Sequence, residues 1–323
     1  MKFIFGFIIF ILILSTIGFL LNPYKPAGES AKEEIVMLDS ESPDAASLKL
    51  DDKNLIRSFT AFNLLYKIIG NNKIEPGGYN FSSNMSSIKI IRELNEGPDL
   101  LSITFPEGLR KEQIGERLAK RLKWNNEKLS EWNNVYAKKN TEFKEGVYFP
   151  DTYLIPVNET PTQVAHRMIA NFNDKFKPYL EEATEKNIKW TTVIKIASLI
   201  QREAGGNGDM KIISGVIWNR LEDGHKLQLD AEIQYAKGKA IGSETWWSPV
   251  SGKDIREIDS PYNSYKYAGL PPTPISNPGL SAIEAALNPE ETDCYFYLHD
   301  RSRQIHCAVT YEEHLENIEK YLN

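Results

Sequence analysis

The run IASLIQREAGG, residues 196–206, carries the residue whose type and spacing point most directly to chemistry. Ile196, Leu199, Ile200 and Glu203 fall at i, i+3, i+4 and i+7, the spacing of one face of an α-helix. Taking the helix from Thr191 or Thr192, residues suited to cap it, Glu203 is expected in the apolar stripe, with Lys195, Ser198 and Arg202 on the opposite side. Two effects then act on its carboxyl. Burial disfavours the charged form. The last helical turn, at the negative end of the macrodipole, adds about 0.3–1 kcal/mol in the same direction. A carboxyl that keeps its proton near neutral pH is what a general acid needs. Gly205 and Gly206 are expected to stop the helix and leave room for a ligand. Periodicity alone leaves a plainer alternative open, because a glutamate closing a helix is often solvated or ion-paired.

Several other chemistries lack their residues. His299, His306 and His314 match no zinc spacing. There is no G-x-S-x-G elbow and no glycine-rich phosphate loop, so neither a metal nor a cofactor is expected. The net charge of 38 − 44 = −6, without a basic run, argues against nucleic acid as a partner. Cys294 and Cys307 are too few for a disulfide framework or a CxxC metal site. They flank one hairpin turn, and a single disulfide or two unpaired small residues are both compatible with that placement.

The elements that must hold Glu203 in place form an α+β chain of 323 residues. It opens on MKFIFGFIIFILILSTIGFLL, uncharged after Lys2, which is about the length that crosses a bilayer core. A retained signal anchor spanning residues 1–21, N-terminus in the cytoplasm and the rest exported, is the first reading; a cleaved signal peptide is the other. Residues 22–54, rich in Pro, Ser, Ala and acidic side chains, are expected to be a disordered tether. From Leu55 the pattern becomes globular. Leu101, Ile103 and Phe105 alternate as in a half-buried strand, and Ile114, Leu118 and Leu122 form a helical stripe. Further helices are expected from about Thr162 to Phe176, from Ile212 to Leu221 and near Ala282, before a closing hairpin and a short helix.

The second half of the chain carries LIQREAG, WNRL, LQLDAEIQY, SPYNSYKYAGLPPTPISNPG, AALNP and YFYLHD…IHCAVTYEEH. With GGYNF, ITFPEGLRKEQIGERL and EGVYFPDTY upstream, these motifs resemble the endolytic murein transglycosylase (YceG-like) family, in order over residues 55 to 323. The resemblance implies a small LysM-like α+β region at 55–158 and a mixed α+β catalytic domain at 159–323. It implies cleavage of peptidoglycan glycan strands between MurNAc and GlcNAc with a 1,6-anhydroMurNAc end, beside cell-wall synthases. The family's catalytic glutamate maps onto Glu203, and the preceding acidic position of its motif is Gln201 here. Asn219, Gln228, Asp230, Asn263 and Tyr265 stand in family-like motifs and offer amide, carboxylate and phenol groups suited to sugar hydroxyls and N-acetyl groups. Fixing loops through backbone hydrogen bonds is the alternative for each, and Asp230 is also a candidate second carboxylate. Two departures bear on substrate positioning: Asp230-Ala231-Glu232, and Ala308 two residues after His306. Trp246 and Trp247 are read either as sugar-stacking rings or as a hydrophobic cover. A rival from another class is a non-catalytic scaffold that binds peptidoglycan and recruits synthases.

Overall fold

The computed structural model describes residues 2–22, 33–39, 42–134, 145–240 and 242–322. The chain separates into two compact units, Met1–Ile103 with Thr152–Glu159, and Thr104–Asp151 with Thr160–Asn323.

The first unit begins with an apolar helix, α1 (Lys2–Leu21), long and apolar enough to cross a membrane. It continues through β1 (Glu33–Leu38), α2 (Pro43–Asp52), α3 (Phe59–Ile69), β2 (Gly77–Ser82), α4 (Ser87–Glu96), β3 (Leu100–Thr104) and β4 (Thr152–Pro156). Its four strands lie in the order β1-β2-β3-β4, with β1 antiparallel to β2. Helices α3 and α4 start where serine oxygens accept from backbone N–H groups that the first turn leaves without a helical partner: Ser58 from Ala61 N at 3.3 Å and Ser86 from Lys89 N at 3.3 Å. Val36, Leu38, Leu50, Phe62, Tyr79, Phe81 and Ile90 form the core.

The first strand and α2 overturn part of the expected tether. Residues 33–38 pair along the whole of β2, and Val36, Leu38, Ala46 and Leu50 are buried. The alternation Val36/Leu38 and the spacing Ala46/Leu50 supply an apolar face that the charged residues around them mask in a compositional reading. Pro23 and Pro26 of that segment lie outside the described residues.

The second unit holds α5 (Lys111–Leu122), α6 (Asn126–Asn134), α7 (Pro161–Glu185), α8 (Trp190–Glu203), α9 (Met210–Glu222), α10 (Asp230–Lys237), α11 (Gly252–Glu257), α12 (Leu280–Leu287), the β5 (Phe296–His299) and β6 (Ile305–Ala308) hairpin, and α13 (Tyr311–Leu322). Helix α8 is central, packed against α7, α9, α10 and α12. Its residues Val193, Ile194, Ile196, Ala197, Leu199 and Ile200 are fully buried among Ile213, Ile217, Ile275, Ile283 and Ala286.

Residues 104–151 join this second unit, not the region before residue 158 in which the sequence reading puts them. The reason is a buried knot at Asn277. Its Nδ2 donates to Leu109 O at 3.0 Å and to Glu145 Oε1 at 2.6 Å, while its Oδ1 accepts from Tyr148 N at 2.9 Å. Glu145 in turn accepts from Lys111 N, the first residue of α5. Gly146 makes the approach feasible, because its φ is +86° and a Cβ there would meet Pro274 Cγ at 2.6 Å.

Candidate active site

Helix α8 begins at Trp190, slightly before the expected caps, and ends on Glu203 itself. Beyond it, Gly205 N and Gly206 N donate to Asp209 at 2.9 and 3.2 Å, and Asp209 Oδ2 contacts His299 Nε2 at 2.6 Å. The glycines thus turn the chain around a carboxylate held by the terminal hairpin. Ser198 differs from expectation: it is fully buried, and its hydroxyl donates to Lys195 O while accepting from Ile275 N at 3.1 Å. Ile275 and Ser276 of the proline-rich loop cover Ser198, while Lys195 and Arg202 stay partly exposed. Gln201 accepts from Gly279 N at 3.0 Å and anchors the start of α12. Arg202 turns away and lies over the Trp247 ring at 3.9 Å.

The Glu203 carboxyl opens onto a cavity of about 430 Å³ lined by Arg220, Gln228, Asp230, Tyr265, Tyr297 and His314, among others. Its Oε2 accepts from the Tyr297 hydroxyl at 3.0 Å, and its Oε1 takes a longer 3.4 Å contact from Ala231 N. Ala231 is in the first turn of α10, so Glu203 stands at the negative end of one helix and the positive end of another. Burial dominates and holds the carboxyl above its ordinary range; Asp230 pushes the same way, while Tyr297, Ala231 N and Arg202 pull it back. Glu203 is half-buried, with its exposed part facing the cavity and the packed elements around it supplying the desolvation. The direction agrees with the sequence expectation. The cause is desolvation by the surrounding elements.

Of the residues expected to bind a ligand, Gln228, Asp230 and Tyr265 are brought together around Glu203. Asp230 Oδ1 accepts from the Tyr265 hydroxyl at 2.8 Å, and Gln228 adopts φ +51°, a backbone state that fixes the turn into α10. Asn219 and Asn263 stand elsewhere. Asn219 Nδ2 donates to Thr292 O at 2.7 Å and Cys294 O at 3.1 Å, and the residue lines a separate, larger cavity of about 530 Å³ beside Trp218. Asn263 is fully buried; its Nδ2 donates to Ile255 O and Ile258 O, and its Oδ1 accepts from Tyr265 N. Both amides bind backbone, so neither faces the Glu203 cavity; Asn263 instead sets the loop that presents Tyr265. The larger cavity lacks Glu203, and the convergence of acid, amide and phenol makes the smaller one the candidate site.

Sequence reasoning missed Arg220, Tyr297 and the Phe296–Tyr311–His314 wall. Arg220 is buried, donating through Nε to Tyr295 O at 2.6 Å and through Nη1 to Leu227 O. The WNRL motif was a signal for Arg220, whereas Tyr297 lies on a hairpin strand whose partner no local pattern names. Trp246 and Trp247 sit in a cation–aromatic stack with Arg110 and Arg202, and Trp247 Nε1 donates to Gln113 Oε1 at 3.0 Å; they behave as a cover. His306 stacks on Tyr321 with centroids 3.6 Å apart and contacts Asp300. The cysteines form a Cys294–Cys307 disulfide.

These features define a mixed α+β protein built around one desolvated glutamate in an open, polar-lined cavity. Residues 37–320 match the family model described as YceG-like, and the chain belongs to that family. It is 32% identical over 308 residues to an endolytic murein transglycosylase of Bacillus subtilis, covering 88% of this chain and 82% of that protein. It is 27% identical to an endolytic murein transglycosylase of Streptococcus pneumoniae, covering 99% of this chain and 65% of that longer protein. A crystal structure of a yceG-like protein from Listeria monocytogenes aligns with a TM-score of 0.56 at 28% identity, covering 89% of this chain and 99% of that one.

Proposed function

We propose that this chain is a membrane-anchored endolytic lytic transglycosylase of peptidoglycan, with Glu203 as both acid and base. The observation that carries the reading is the desolvated Glu203 carboxyl at the wall of a cavity lined by Gln228, Asp230 and Tyr265. Glycosidases that hydrolyse their substrate generally use two carboxyl groups. Here one group works twice. The protonated Glu203 gives its proton to the glycosidic oxygen as the MurNAc C1–O bond breaks. The resulting carboxylate takes the proton of the MurNAc C6 hydroxyl as O6 bonds to C1. No water is consumed, and the product carries a 1,6-anhydro end. Asp230, held by the Tyr265 hydroxyl, and Gln228 orient sugar hydroxyl and N-acetyl groups. Arg202 and Gln201, engaged with Trp247 and Gly279, take no part in proton transfer.

In this reading α1 is a retained signal anchor with its N-terminus in the cytoplasm, and both units work on the outer (periplasmic) face. The first unit, with its small sheet and helices, serves as the LysM-like glycan-holding part, and peptidoglycan synthases are the partners that supply nascent strands. Replacing Glu203 with Gln and digesting isolated sacculi tests the activity. The expected loss of anhydro-ended products is about 10²–10⁴-fold, the range a general acid–base group contributes. Undiminished products contradict Glu203 as the acid and base; a non-catalytic wall-binding scaffold is favoured instead if the unaltered chain cuts no bond and the variant keeps its full biological effect.

A further inference from the structure

Tyr297 reaches Glu203 across a sequence separation of 94 residues. The strand that carries it is fastened twice. In the β5–β6 pair Tyr297 lies directly opposite Cys307, and Cys307 is bonded to Cys294 just before β5. The phenol donates to Glu203 Oε2 at 3.0 Å, whereas Oε1 has the longer 3.4 Å contact from Ala231 N. The two oxygens of one carboxyl are therefore unequal. Burial and the adjacent carboxyl hold the Tyr297 phenol far above its ordinary range, so it keeps its own proton and remains a donor.

We infer that Tyr297 is a positioning residue that occupies Glu203 Oε2 and leaves Oε1 as the oxygen that releases and regains the working proton. This rests on the transglycosylase reading above. The proton leaves Oε1 for the glycosidic oxygen as C1–O breaks, and it returns to Oε1 from the C6 hydroxyl as O6–C1 forms. Tyr297 ends each turnover with the hydrogen it began with, and no electron is transferred. The other charged or titratable groups around Glu203 are Arg202 on α8, Arg220 on α9, Asp230 and Glu232 on α10, Tyr265 in the loop after α11, and Tyr311 and His314 on α13. Tyr297 is the one that donates a side-chain hydrogen bond to Glu203 among the described residues. Such a bond favours the charged carboxylate, so removing it raises the Glu203 pKa.

The test uses the full-length chain with Tyr297→Phe. The Glu203 carboxyl is followed by carbon-13 NMR titration, its resonance assigned by disappearance in Glu203→Gln. In parallel, formation of anhydro-ended products is measured against pH. The expected result is a Glu203 titration moved up by about 1 pH unit, the scale of a hydrogen bond to a charged group. The alkaline limb of kcat should move up with it, kcat at the optimum should fall about 10-fold, and KM should stay within about 2-fold. A second variant, 3-fluorotyrosine at position 297, preserves the shape with a more acidic phenol and should move the titration down. An unmoved titration and limb in Tyr297→Phe, with activity still abolished in Glu203→Gln, overturns the inference and leaves the transglycosylase reading standing. Activity that survives Glu203→Gln overturns that reading and the working-oxygen assignment with it, whatever Tyr297→Phe does to the titration.

Discussion

The two units bury different kinds of polar side chain. Among the described residues, the polar groups buried in the first unit are uncharged: Ser47, Asn63, Ser82, Ser83 and Ser87. The second unit buries Arg110, Lys111, Glu145, Asp209, Arg220 and Glu232 as well. A buried charge or carboxyl costs free energy unless it is paired or hydrogen-bonded. In the first unit the apolar core, with stacked Tyr79 and Phe81, needs no such groups to hold its sheet. In the second, buried ionisable groups tie separate stretches of backbone together. Arg220 ties 227 and 295 to α9, Glu145 ties α5 to the loop at 277, and Asp209 ties the end of α8 to β5. Stability in the first unit comes mainly from apolar packing, whereas in the second it is coupled to polar geometry and to pH.

The largest effect that tests this contrast is Phe62→Ala. Phe62 is 1% exposed in the first core, and its truncation is expected to cost about 3–5 kcal/mol. Amide exchange in β1 and β2 should accelerate strongly while α8, α9 and α12 keep their protection; equal loss in both units would break the contrast. Next comes the disulfide. Replacing Cys294 and Cys307 together with Ser should destabilise the β5–β6 hairpin by about 2–4 kcal/mol, read as faster exchange there, with the first unit unaffected. The third effect, the smallest per unit of pH, concerns Glu232, which is 1% exposed and pushed by burial up to about 8 from an ordinary value of 4.5. Between those two values the folded chain holds a proton that the unfolded chain has released. Stability therefore falls as pH rises through that window, by up to about 1.4 kcal/mol per pH unit from this group. Glu232→Gln should flatten that part of the denaturant-midpoint curve between about pH 5 and 8, and an unchanged slope would remove Glu232 from the account.

Much of the site was legible where periodicity or a compact motif carried it. The stripe Ile196, Leu199, Ile200 and Glu203 is a local property of one helix, and the structure buries its three aliphatic members completely. Gln228, Asp230 and Tyr265, singled out through their motifs, line the Glu203 cavity. What stayed hidden depends on partners outside the motif that carries each residue. Asn219 and Asn263 have the chemistry of sugar-binding amides, but carbonyls of residues 292, 294, 255 and 258 claim their donors. Tyr297 alternates along a strand whose face is decided by β6 and α8 together. The segment at 33–52 reads as solvated from its charge, yet its sparse apolar residues find a sheet edge and a core to enter. The apolar opening of the chain, by contrast, is plain from composition alone, and α1 forms over it.

The central claim is that Glu203 breaks a glycan strand by internal attack and without water. Purified glycan strands digested in heavy-oxygen water, with the products weighed by mass spectrometry, test it most directly. The account predicts new ends lighter by one water than a hydrolytic product, free of heavy oxygen, and absent with Glu203→Gln. New reducing ends that carry heavy oxygen, or cleavage undiminished in that variant, would contradict it.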